Sequence, residues 1–392
     1  MEFAKLRTNP RAVRTNIAVE EMINSIVRQY DDTMRVLHLG GRKAQYDDHR
    51  FEFLGGASDA IRRAHYDKSL RLLWKAENNA PFLSFRDCTT AERDLMDLAL
   101  RSLTDEEKAA RKRLALPEFK ALLNREYTRE QKQAIVNILA AIGHGEAYAW
   151  LVSAELLGIV KSTGARAALT MQVVEEAKHF VVLRELLQAF DVPIRRQSVW
   201  EYLLLESAYK APGLDKFFGM NIVVEGIALS LFGMMSHLPG LEVLRLFHLD
   251  EARHCGLPQN YFAEFPMTEW ERTNPRSRAR RLGIIMPALA LIPYLEGEMA
   301  VLGIDVFDFG GSVVRKLVTL AGRNGFALPL PPEEILARMN RLFNVYCKLT
   351  RPEHQRKNFM KSDSTVGAAE RAVEEAIFQP ENAPQQPAYA VS

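Results

Sequence analysis

Two short stretches, Val173–Phe180 (VVEEAKHF) and His248–Cys255 (HLDEARHC), constrain this chain more than any other feature. Each carries Glu-x-x-His: Glu176 with His179, and Glu251 with His254. Each is preceded, one helical hairpin earlier, by a lone glutamate in an apolar run: Glu146 in GHGEAYAWL and Glu225 in NIVVEGIAL. Residues i and i+3 share one face of a helix, so each Glu-x-x-His aims a carboxylate and an imidazole the same way. One glutamate from each of two helices, with Glu-x-x-His from each of two others, suits a two-metal site in the core of a four-helix bundle.

Helical arithmetic tests whether the six side chains can meet. Glu146 lies about 15 residues before the Lys161–Gly164 turn and Glu176 about 12 after it, which is ~22 and ~18 Å along each helix. Glu225 lies about 12 residues before His237, and Glu251 about 11 after Gly240, so the second hairpin matches more closely. Chance is a weak competitor. Nine histidines at an ordinary ~7% glutamate frequency give roughly 0.6 Glu-x-x-His matches, with no reason to sit in apolar helices at matched heights. Four ionised glutamates packed together without cations would repel and be costly to bury. Carboxylates bridge hard cations, and imidazoles bind iron well. Metal-bound histidines usually give their other N–H to a carboxylate. The acidic residues just before each motif glutamate supply candidates, pairing Asp250 with His179 and Glu175 with His254, with Arg253 and Lys178 neutralising them.

The remaining chain is read as almost entirely helical. Helices are expected over Val19–Leu37, Ser58–Asn78, Ala91–Leu103, Glu130–Val160, Ala165–Phe190, Val199–Lys210, Leu214–Ser236, Leu241–Cys255, Pro275–Val301, Ser312–Arg323 and Pro332–Lys348. Residues 1–15 read as a loose polar lead, Arg111–Glu118 as a connection containing Pro117, and Thr104 with Glu107 as a capping box. Residues 1–127 form an N-terminal helical extension packing on the bundle, 128–256 the bundle core, and 257–350 further helices of the same domain. Residues 351–392 form a polar, partly disordered tail.

Composition excludes several classes. The net charge of +2 gives no global bias toward nucleic acid. Three cysteines without a C-x-x-C pair fit a reducing cytosol and exclude a disulfide scaffold or thiolate zinc site. The N-terminus lacks the apolar region of a signal peptide, and the most apolar short run, Ile284–Pro293, is too short to span a bilayer. A cytoplasmic protein with no membrane association is expected. No Gly-rich phosphate loop or dinucleotide fingerprint occurs, so reducing equivalents must come from outside the chain.

With its motif Glu146…Glu176-Ala-Lys-His179…Glu225…Glu251-Ala-Arg-His254, the chain resembles the ferritin-like di-iron carboxylate superfamily. Asp250-Glu-Ala-Arg-His254 is similar to the D-E-x-R-H form of its oxygenases. The resemblance covers roughly residues 128–256. It implies an all-α, ferritin-like four-helix bundle with two iron ions held by Glu146, Glu176, His179, Glu225, Glu251 and His254 and activating O2. Manganese, zinc or a mixed pair is an alternative, since affinity order does not set the physiological metal. The expected activity is a non-haem di-iron oxygenase or oxidase acting on a small organic substrate at a C–H or N–H bond, reduced by a ferredoxin or flavoprotein. An arylamine N-oxygenase and a metal-storage protein without organic substrate are the alternatives. Departures narrow the choice. Leu183 stands where reductase small subunits carry a radical tyrosine, and Leu229 where multicomponent hydroxylases place a threonine. The extra histidine ligand of the p-aminobenzoate N-oxygenases would stand at Phe247, and the nearest candidate here is His248.

Weaker signals remain. Trp150, Phe180, Leu183 and Leu229 are candidates to line an apolar pocket, with plain core as the bland reading. Gly143 and Gly145 flank His144 just before Glu146 and suit a local distortion or close substrate approach. Pro287–Val301 reads as buried core, with a homodimer face or a lipid-like substrate channel as alternatives. The basic cluster Pro275–Arg281 reads as a solvated helix start rather than a contact for RNA, a phosphate-bearing carrier or an acidic partner.

Overall fold

The computed structural model describes residues 4–39, 90–105, 117–160, 163–261, 270 and 273–360. Among these residues the regular structure is entirely helical. The helix expected over 58–78, the capping-box residue Glu107 and residues 361–392 of the tail lie outside them.

The helices are α1 (Pro10–Val36), α2 (Thr90–Arg101), α3 (Pro117–Glu126), α4 (Arg129–Leu156), α5 (Thr163–Ala189), α6 (Val199–Lys210), α7 (Gly213–Met235), α8 (Leu244–Tyr261), α9 (Pro275–Tyr294), α10 (Glu296–Val301), α11 (Val306–Arg323) and α12 (Pro332–Thr350). Prolines explain most departures from the sequence expectation. Pro10 and Pro117 open α1 and α3 at the position where a missing N–H costs nothing. The presumed loose lead therefore becomes helix from residue 10, with the Asn9 side chain accepting from the Arg11 and Ala12 amides. Capping boxes open two helices near the site: Thr128 with Gln131 on α4, and Ser198 with Glu201 on α6. At each, side chain and backbone exchange hydrogen bonds that first-turn amides otherwise lack.

Four helices pack around a common axis. α4 lies against α5 and α7 against α8, while α5–α8 and α4–α7 contacts close the set. α6, α9, α10 and α11 cover the outer side of α4 and α7, α12 packs on α11, and α1 lies across α6 and α9. Two helices, Arg129–Leu156 and Gly213–Met235, are long and apolar enough by composition to cross a membrane, but their apolar windows are 78% and 89% buried in the fold. Burial in the protein core accounts for that composition.

α7 is irregular where the site requires it. Residues Phe218–Val224 form a π-helical segment immediately before Glu225. Single π turns inside α-helices are rare and concentrate at functional sites. The sequence expectation of a local distortion concerned Gly143 and Gly145, yet α4 runs as an unbroken α-helix there and the distortion falls on the facing helix.

Outside the bundle, part of the basic cluster turns inward. Arg281 is fully buried, donating to Asp215 Oδ1 at 2.9 Å and to the Ala327 carbonyl at 2.7 Å. The polar tail begins later than residue 351. Arg351 reaches Glu296 and Asp305, Lys357 reaches Asp308, and Phe359 is fully buried. A side chain at Gly311 would put its Cβ 2.2 Å from the Phe359 carbonyl oxygen. Gly311→Ala is therefore expected to lose about 1–3 kcal/mol of stability through overpacking against backbone. Chemical denaturation would measure it, and a neutral result would mean that residues 351–360 do not dock on α11.

Candidate metal centre

Six side chains converge at mid-height of the four helices. Glu146 comes from α4, Glu176 and His179 from α5, Glu225 from α7, and Glu251 and His254 from α8. Each is at most 2% exposed. Their donor atoms form two groups: Glu146, Glu176, His179 and Glu251, and Glu176, Glu225, Glu251 and His254. Within each group the atoms lie within 4.8 Å of one another. Glu176 and Glu251 belong to both groups. Two adjacent metal positions sharing two carboxylates, each with one private glutamate and one private histidine, is what this arrangement can hold.

The imidazoles are oriented by their outer edges. His179 Nε2 lies 3.0 Å from Asp250 Oδ2, and His254 Nε2 lies 2.9 Å from Glu175 Oε2. With Nε2–H donating outward, the Nδ1 lone pair of each ring faces the cluster. His179 Nδ1 is 3.2 Å from Glu146 Oε2 and 3.0 Å from Glu251 Oε1. His254 Nδ1 is 2.9 Å from Glu176 Oε1 and 3.2 Å from Glu251 Oε2. The outer carboxylates are themselves held: Lys178 donates to Asp250 at 2.7 Å, and Arg253 donates to Glu175 at 3.0 Å and also to Asp250.

The electrostatics of the polypeptide split the four inner carboxylates. Burial, with the nearby charge of Glu251 and Glu176, pushes Glu146 well above the ordinary carboxylate range. Burial and the charges of Glu176 and Glu251 do the same to Glu225. Burial alone would also raise Glu176, but His254 and His179 hold it well below that range. Glu251 is held low against burial and the Glu176 charge by a hydrogen bond from Glu225 and by the two histidines. Burial would lower both histidines; Asp250 and the inner glutamates raise His179, and Glu176, Glu251 and Glu175 raise His254. Burial would raise Asp250 and Glu175, and the hydrogen bonds from His179 and His254 keep both ionised and low.

The donor set fits a pair of divalent cations. Four glutamates carry a formal charge that two such ions neutralise, and neutral imidazole completes each position. Glu176 Oε2 and Glu251 Oε1 are buried without a hydrogen bond. The latter is 3.0 Å from His179 Nδ1, but one ring nitrogen facing several carboxylates can serve only one. Buried acceptors left over in this way are expected where a cation takes the place of a donor.

Two amides at the cluster escaped the sequence reading. Gln172 Nε2 lies 3.2 Å from Glu176 Oε1 and 3.3 Å from Glu225 Oε1, tying a shared carboxylate to a private one. Asn221, in the π segment, donates to Gln172 Oε1 and to the His254 carbonyl, both at 3.1 Å. Each stands four residues before a cluster glutamate in an otherwise apolar run, and that spacing is the signal that would have found them. Phe247 stacks on the His179 ring at 4.2 Å, and Phe232 packs edge-on against Phe247.

Other sequence candidates do not join the centre. His248 is buried, but its Nδ1–H donates to the Leu229 carbonyl at 2.9 Å, and it is in neither donor group. Although it stands three residues before Glu251, its ring is turned toward the α7 backbone. Trp150, Phe180, Leu183 and Leu229 do not line the cavity that the structure contains. Trp150 is 38% exposed and packs on Phe180, while Leu183 and Leu229 are fully buried inside the bundle. A cavity of about 140 Å3 lies instead on the outer side of α4 and α7, beneath α9, α11 and α12.

The raised Glu146, Glu225, His179 and His254 carry protons to higher pH than free side chains do. Cations must displace those protons, so apparent affinity should rise with pH. Loading the polypeptide with two divalent ions near neutrality is expected to release up to about four protons per chain, measured by titration in buffers of different ionisation enthalpy. Uptake without proton release would show that these six groups are not the ligands. Comparison with protein-family models, curated proteins and solved structures returns no match, and the functional reading of this centre rests on its donor geometry.

Proposed function

We propose that the chain is an O2-activating, non-haem di-iron oxygenase with a ferritin-like four-helix bundle, acting on a small organic substrate. One observation carries the reading: two overlapping donor groups share Glu176 and Glu251. A single-ion site has no need of paired positions with shared carboxylates between capped histidines, and iron uptake per chain separates the oxygenase from a storage protein. When bound, the two irons supply the reduction of O2. The overall reaction inserts one oxygen atom into a C–H bond and releases the other as water, consuming two electrons from an external ferredoxin or flavoprotein and two protons from solvent.

The chain's own groups set the conditions for that chemistry. Asp250 and Glu175 fix the ring faces of His179 and His254, and Lys178 and Arg253 keep those carboxylates ionised. Gln172 holds Glu176 and Glu225 at a fixed separation, which limits how far either carboxylate swings as charge changes. Phe232, Phe247, Leu183 and Leu229 fill the bundle around the site, excluding water that would quench an oxidant.

Anaerobic loading with Fe(II), followed by O2 and Mössbauer spectroscopy, tests the reading. Two irons per chain, becoming a coupled pair on oxidation, are expected. Glu225→Ala should remove the coupling by depriving one position of its private carboxylate. Uncoupled iron in the folded protein, an intact pair in that variant, or uptake far beyond two irons per chain would each remove the proposal.

A further inference from the structure

The cavity outside the bundle has a chemistry of its own. Its wall runs from Ala141, Ile142 and Gly145 on α4 to Ile335 and Met339 on α12, and is built almost wholly of aliphatic side chains. The one charged lining residue is Glu201, and its carboxylate is already engaged. It accepts from Ser198 Oγ at 2.9 Å and from Arg195, and pairs with His144 Nδ1 at 3.0 Å. Arg195 and His144 together hold it down at about 2 against the effect of burial. A polar ligand would lose its hydration in this wall and find no free partner.

The volume and the wall together describe a shape. About 140 Å3 is close to the roughly 150 Å3 apolar cavity that stays dry and admits benzene. Its wall draws on α4, α6, α7, α9, α10, α11 and α12. The apolar lining therefore continues across several helical layers, which suits an extended hydrocarbon chain.

Part of the wall adjoins the helical turns that carry two cluster glutamates. Gly145 and Val224 both line it, and each is the immediate chain neighbour of a cluster glutamate, Glu146 and Glu225. Gly145 presents no side chain; a Cβ there would stand 3.7 Å from Val224 Cγ1. Ile222, Val223 and Val224 of the wall belong to the π segment. At the outer end Ile335 and Met339 are only half-buried, which gives a chain a way in past α12.

We propose that this cavity binds an unbranched hydrocarbon chain, and that such a chain is the part of the substrate brought to the centre across the Gly145–Val224 seam. The inference rests on the oxygenase reading for its second half only. The apolar stretch Pro287–Val301 contributes Ala288, Leu289, Leu291, Ile292, Leu295 and Met299 to the wall, and is the floor of this channel.

The test is direct binding to the delipidated full chain, with and without iron, using cis-parinaric acid fluorescence and competition by n-alkanols of increasing length. Affinity should rise with chain length to a limit. Ala288→Trp, which fills the channel, should weaken binding by about tenfold or more while iron content is unchanged. Leu231→Ala, which lengthens the void, should move the tightest-binding alkanol to a longer chain, a shift that a general loss of packing does not produce. Iron-loaded protein should consume O2 faster with the best-binding alkanol. Absence of saturable probe binding, or binding that neither variant alters, would overturn the proposal even if iron pairs normally. Binding that follows the variants without stimulating O2 uptake by a normally paired centre would overturn the substrate assignment. Binding that follows them in protein whose iron does not pair would uphold the chain site and remove the oxygenase reading.

Discussion

Four carboxylates buried within reach of one another are the constraint on which the rest of this molecule depends. An apolar bundle cannot hold four such charges without compensation. In the polypeptide, burial and mutual repulsion raise Glu146 and Glu225, and the surrounding carboxylates raise the two imidazoles, so the cluster favours protonated forms; two divalent cations would neutralise the four glutamates instead. The outer pairs with Asp250 and Glu175 exist because the imidazoles need a fixed orientation in either condition. Lys178 and Arg253, reaching the bundle surface, then pair with charge that would otherwise be stranded at its edge.

Much of the centre was legible in the sequence because it obeys regular helical geometry. Equal distances from two turns put Glu146 beside Glu176 and Glu225 beside Glu251, and the i, i+3 rule added the histidines. Asp250 and Glu175 followed from adjacency to the motif glutamates. What escaped was irregular or long-range. The π segment at Phe218–Val224 has no periodic signature, so Asn221 passed as one polar residue in an apolar run. The pair formed by His144 and Glu201 joins helices separated by 57 positions, and nothing local to either residue announces it. Pro117 was read as part of a connection, because proline's two roles, stopping a helix and starting one, look alike without the preceding cap.

The pocket residues show a different limit. Leu183 and Leu229 are fully buried in the bundle and Phe180 packs on Trp150, and none of them reaches the cavity outside α4 and α7. Free volume is a property of how helices stand off from one another, and that depends on layers far away in sequence. Here the layer formed by α9, α11 and α12 stands away from α4 and α7, and the void appears on the side of those helices away from α5 and α8.

That placement gives Gly145 on α4 and the π segment of α7 a common meaning. Inside the bundle Phe232, Phe247 and the buried leucines pack around the carboxylates and imidazoles. On the outer side, α4 offers Gly145 with no side chain and α7 takes its wide turn at the same level. A regular α-helix would carry Asn221 and Glu225 on one stripe four residues apart, with ordinary side-chain spacing behind them. A π turn widens the backbone at Ile222–Val224 while still delivering Asn221 to Gln172 and His254. The segment therefore serves two surfaces at once, holding an amide against the carboxylates on one side and thinning the wall toward the hydrocarbon cavity on the other. A helix that only had to position Glu225 would gain nothing from it, since Glu146 reaches the cluster from an unbroken α-helix.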